Sequence, residues 1–151
     1  ADDTGILTIN VPTSWTSVIT TTVTDDDTGA ELAAISATDD RSAFGDTRAV
    51  SGVLFAQWAD FESDTSVGPR SLASAWGETC AAIGEVVPFT ANNLTGHSVT
   101  LTDCEQSDVD TVVVFANAAD GRQITIAAII AVDNAEQQQF LPAILASLTL
   151  V

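Results

Sequence analysis

The chain has 151 residues, 46% of them hydrophobic, with 21 Asp and Glu against 4 Lys and Arg, a formal charge of −17. All four cations are arginines (Arg41, Arg48, Arg70 and Arg122). Length and hydrophobic content fit one domain, residues 1–151, with one core, and argue against wholesale disorder. The charge disfavours nucleic acid and anionic lipid headgroups as partners, and a single histidine, His97, excludes a histidine-rich zinc site.

Ala1 to Gly5 reads either as a mature terminus after cleavage or as the edge of an excised domain. Gly5 to Val11 is β-rich and predicts a strand stopped by Pro12, with Trp15 folding back onto the sheet. Ser17 to Thr24 is nearly all β-branched and predicts a second strand with a Thr-rich exposed face. Asp25 to Gly29 is a turn, and Glu31 to Ala37 a third strand. Asp39 to Phe44 predicts a helical turn capped by Thr38 or Asp39 and ended by Gly45.

Gly52 to Trp58 predicts a core strand. Asp64 to Gly68 is a loop, and Pro69 suits the first position of a helix. Leu72, Ala75, Trp76, Thr79, Ala82 and Ile83 recur at three and four, which predicts one helix continuing to Gly84 with Cys80 on its last turn. Val86 to Thr90 predicts a strand that Pro88 confines to an edge. Gly96 to Thr102 alternates strictly, and Asp110 to Ala116 reads as a central strand. Ala119 to Arg122 is a hairpin turn, and Gln123 to Val132 its partner. A last helix runs from Asp133 or Asn134 through Phe140, Ile144, Leu145 and Leu148. Pro142 conflicts with that start unless the helix begins near Phe140.

Strands outnumber helices and short turns join most of them. The predicted fold class is therefore α+β: one antiparallel β-sheet covered by helices. The longest apolar run, Ile124 to Val132, is far below the ~20 residues of a membrane span. Two cysteines, Cys80 and Cys104, in an acidic, lysine-free chain suggest one disulfide in an oxidising compartment, the alternative being two buried free thiols. The acidic, lysine-free composition fits either a high-salt habitat or a secreted protein of a GC-rich bacterium; the excess of Asp over Glu favours the second.

Several segments together carry a resemblance. They are G-x-L-T-I-x-V-P-x-S-W (Gly5 to Trp15), L-A-A-I-S-A (Leu32 to Ala37), S-G-V-L-F-A (Ser51 to Ala56), T-D-C (Thr102 to Cys104), V-V-V-F-A (Val112 to Ala116) and A-D-G (Ala119 to Gly121). In this order the chain resembles small extracytoplasmic actinobacterial domains of the PsbP-like sandwich type, shared by LpqN/LpqT-type lipoproteins. The resemblance implies an antiparallel sheet between helices and a binding or accessory role. Its motifs are structural, and no catalytic residue comes with it.

The candidate chemistry is sparse. His97 with Ser98, Ser107, Asp103 or Asp108 lacks any nucleophile-elbow pattern and reads as a strand histidine. Asp25 to Glu31 has the wrong spacing for a calcium loop. Asp103, Glu105, Asp108 and Asp110 form a second acidic loop able to hold a cation, and Glu78 with Glu85 is a carboxylate pair of the kind any acidic chain offers. Asn93-Leu94-Thr95 matches a glycosylation acceptor. No pattern points to a cofactor, a catalytic group or a defined metal site. Phe55, Trp58, Phe61 and Trp76 are the candidate lining of an apolar groove between a core strand and the following helix, with core packing as their alternative role.

The expectation is a non-enzymatic, secreted or extracytoplasmic binding domain for a protein partner or an apolar small ligand. The alternatives are a small secreted hydrolase with an unrecognised site and a cell-surface structural subunit that self-associates through Thr20-Thr21-Thr22 as a sheet edge.

Overall fold

The computed structural model describes residues 1–46, 50–76, 80–104, 110–132 and 138–151. Its strands are β1 (Leu7–Thr8), β2 (Ser17–Ile19), β3 (Val23–Thr24), β4 (Glu31–Leu32), β5 (Ala34–Thr38), β6 (Gly52–Gln57), β7 (Cys80–Ile83), β8 (Val87–Ala91), β9 (Leu94–Cys104), β10 (Asp110–Ala118), β11 (Thr125–Val132) and β12 (Thr149–Leu150). The helices among the described residues are α1 (Arg41–Asp46), α2 (Gly68–Trp76) and α3 (Leu141–Ser147).

The most apolar strands take the centre of the sheet. The order is β2-β5-β6-β11-β10-β9-β7, with β8 also paired to β9, and every pairing is antiparallel. Strands β10 and β11 are buried along nearly their whole length, as strands covered on both faces are. Their register, Val113 opposite Ile129 and Val114 opposite Ala128, assigns each side chain to a face. The hairpin between them turns at Gly121, whose φ of 86° suits glycine. The chain forms a single small domain, mostly antiparallel sheet with few helices.

One face carries the larger core. Val53, Phe55, Val112, Val114, Ile126 and Ile130 meet Leu7, Trp15, Ile144, Leu148 and Leu150 there. The two-stranded sheet β1–β12, with Leu7 opposite Leu150, closes this side beside α3. The other face is covered in patches. Helix α2 sets Ala73 and Leu72 against Val99, Leu101, Val113 and Ile129, and α1 sets Phe44 against Ala131.

Several predicted elements are corrected. The Ser17–Thr24 strand divides into β2, in the main sheet, and β3, which pairs with β4 in a separate two-stranded sheet. The predicted Glu31–Ala37 strand divides likewise into β4 and β5, because the chain leaves the hairpin to join the main sheet. Asp40, and neither Thr38 nor Asp39, caps α1: its Oδ1 accepts from the amides of Ser42 and Ala43 at 3.0 and 3.2 Å.

Helix α2 ends at Trp76, not near Gly84, and Cys80 to Ile83 is an edge strand instead of helical turns. Helical spacing and strand pairing compete for that segment, and β9 supplies backbone partners as far as Ile83 opposite Leu101. Cys80 therefore stands opposite Cys104 on the neighbouring strand. It is disulfide-bonded, so the tie at this position joins strands and does not hold a helix. The last helix takes the later start, with Phe140 as N-cap and Pro142 in its first turn. The start at Asp133 or Asn134 lies outside the described residues, as do Arg48, Glu78, Thr79, Glu105, Ser107 and Asp108.

Candidate functional site

A hollow on the α2 face results from residue size. The sheet there presents Ala56 from β6 and Ala127 from β11, beside Leu54 and Ile129, while the opposite face of the same strands presents Phe55, Ile126 and Ile130. Helix α2 packs on β9 and β10, so it leaves these alanines uncovered. The result is a cavity of about 360 Å³. Leu54, Ala56, Ala127 and Ile129 form its floor, Leu72 of α2 one wall, and Leu32 and Asp25 of the β3–β4 hairpin another. Trp58 and Ala59 stand where β6 ends. A second cavity of about 310 Å³ adjoins it, lined by Glu62, Val67, Gly68, Ser71 and Phe115. Trp58 and Leu72 line both.

Trp58 is fixed in place but open to solvent. Its ring meets Phe115 edge to face, with centroids 5.3 Å apart and planes at 74°, an arrangement aromatic pairs favour. Its backbone amide donates to Thr125 O at 2.8 Å. It nevertheless remains 39% exposed. Gly68 permits the close approach of α2, because a Cβ there would overlap the Phe115 ring. The loop after Trp58 is tied down at Glu62, whose amide donates to Thr125 Oγ1 at 2.9 Å and whose carbonyl accepts from Asn117 Nδ2 at 2.7 Å.

The four predicted groove residues separate. Trp58 lines the groove. Phe55 does not: it is 0% exposed in the opposite core, because a three-residue step along a strand reverses the face. Phe61 is 43% exposed on the loop and lines neither cavity. The Trp76 side chain lies outside the described residues. The floor alanines and Leu32 were missed. The signal for the floor was present in β6 and β11, where small and large side chains sort onto opposite faces.

The charged rim belongs to Asp25. The Thr28 hydroxyl and backbone N–H, bonding Asp25 Oδ1 at 2.6 and 2.7 Å, hold its carboxyl below the usual carboxylate range. It is therefore ionised at neutral pH. Among the described residues, Asp25 is the single charged one lining the larger cavity, and no arginine lines either cavity.

His97 lies outside both cavities. Its Nδ1 is 2.9 Å from the hydroxyl of Thr65, which is buried. The pair links the loop before α2 to β9. Ser98, its predicted neighbour, alternates to the other side of the strand. Asp64 is close enough for His97 to act on its charge, but the hydroxyl and amide of Ser66 are the main cause of its lowered pKa. Asn93 holds the C-terminal strand: its Nδ2 donates to Leu150 O and its Oδ1 accepts from Leu150 N. A glycan on that nitrogen would disturb this contact. Among the described residues no helix is long and apolar enough to cross a membrane. No family model, curated protein or solved structure matches the chain.

Proposed function

We propose that this protein is a non-enzymatic binding domain that takes an apolar small molecule into the groove beside Trp58. The observation that carries the proposal is the uncovered alanine floor between Leu72 and Leu32, which leaves about 360 Å³ of apolar space beside an exposed tryptophan. That volume is within the ~300–1,000 Å³ of small-molecule sites. The hydrolase reading gains a hydroxyl beside His97, but Thr65 is buried and His97 lines neither of the two groove cavities. Self-association through Thr20-Thr21-Thr22 loses its strand edge, because these residues lie between β2 and β3 and are in neither. An extracytoplasmic location is supported by the bonded Cys80 and the acidic, lysine-free composition. The PsbP-like sandwich is supported by helices packed on both sheet faces.

The test is a titration with straight-chain alcohols, followed by tryptophan fluorescence and native mass spectrometry. Each added methylene should tighten binding about fourfold until the trough is filled, from ~0.8 kcal/mol per buried CH₂. Affinity independent of chain length, or unchanged by Trp58→Ala, would refute the proposal.

A further inference from the structure

The groove also selects the charge of its occupant, an inference that rests on the binding role just proposed. Its body is apolar, so an aliphatic segment fits along the floor formed by Ala56 and Ala127. Among the described residues, the one charged group lining the larger cavity is Asp25. That carboxylate is partly exposed at the hairpin and is held in place by Thr28. Glu62 adds a second carboxyl group at the adjoining cavity. Among the described residues no arginine lines either space, and the whole chain carries −17. An anionic head would meet like charge locally and globally, with no arginine among the described lining residues to pair it. A cationic head beside Asp25 gains attraction at the edge of a low-dielectric trough, where charge pairs are stronger than in water.

We infer that the ligand is a cationic amphiphile, with its aliphatic body on the alanine floor and its positive head at Asp25. The general field of an acidic protein favours any cation, so the decisive variant removes one local charge and leaves the others. Asp25→Asn does this and keeps an oxygen for the Thr28 turn bonds. Decyltrimethylammonium, decanol and decyl sulfate, each below its micelle concentration, would be titrated at physiological salt, where exposed charges beyond about 8 Å are largely screened. The cation should bind at least tenfold more tightly than the sulfate, and Asp25→Asn should reduce that ratio at least threefold while decanol affinity stays the same, which shows the groove still folded. Glu62→Gln should reduce it less. Equal affinity for the cation and the sulfate, or a ratio unmoved by Asp25→Asn, overturns the inference while decanol binding leaves the groove standing. Failure of decanol itself overturns the binding role.

Discussion

Adjacent alanines on β11 give a direct test of the groove. Ala127 faces the hollow and is 8% exposed, while Ala128 faces the main core at 0%. The same substitution to Leu at each position adds three carbon atoms to opposite sides of one strand. At Ala128 the carbons enter close-packed space among Val114, Phe55 and Ile130. Overpacking of that kind costs about 1–3 kcal/mol. For a chain of this size, that lowers Tm by about 2–10 °C. At Ala127 the carbons enter a cavity of about 360 Å³. Burying three methylene equivalents contributes up to about 2.4 kcal/mol. Ordering the side chain costs about 0.5–1 kcal/mol. Ala127→Leu should therefore leave stability unchanged or raise it by about 1 kcal/mol, the remainder after partial exposure is allowed for. It should also weaken decanol binding at least tenfold. Urea denaturation with matched m-values measures the first effect and the alcohol titration the second. If Ala127→Leu destabilises as much as Ala128→Leu, the space over Ala127 is closed and the proposed site fails.

Two further outcomes follow from contacts away from the groove. The disulfide at Cys80, taken with Cys104 opposite it, closes a loop of about 25 residues, so Cys80→Ser or reduction should cost about 3 kcal/mol. Calorimetry with and without reductant checks this, and intact-mass analysis should show the loss of two hydrogens in the untreated protein. Asp2 is buried, which raises its pKa, but bonds from Thr4 and from the Leu7 amide at 2.7 Å outweigh burial and hold it below the usual range. A carboxyl lowered in the folded state stabilises above its unfolded pKa of about 3.9 and loses that contribution as pH falls through the folded value. Asp2→Asn should destabilise the protein near neutral pH and flatten its stability profile below about pH 4. An unaltered acid limb in urea titrations would count against this role.

Much of the sheet was legible because its strands carry their own instructions. Asp110 to Ala116 and Gln123 to Val132 are too apolar to face water, and Asp120-Gly121 between them gives the turn. Pro142 marked a conflict in the last helix without placing its start; the structure decides for the later one, with Pro142 in the first turn. The segment 72–83 was less legible. Its apolar residues satisfy a helical period, which by itself does not tell a continuing helix from a helix followed by a strand. Pairing with β9 then drew Cys80 to Ile83 into a strand, a contact between residues distant in sequence.

The site divides along the same line. Alternation along β6 and β11 determined that Phe55 and Trp58 face opposite ways, and that Ala56 and Ala127 lie apart from Ile126 and Ile130. Which face would be fully covered was decided only in three dimensions. Helix α2 is short and seats on β9 and β10, and the β3–β4 hairpin stands off as a separate small sheet. Alternation assigns residues to faces, but coverage depends on the length and placement of elements far along the chain. That is why the alanine floor is open here and would have been core beneath a longer helix.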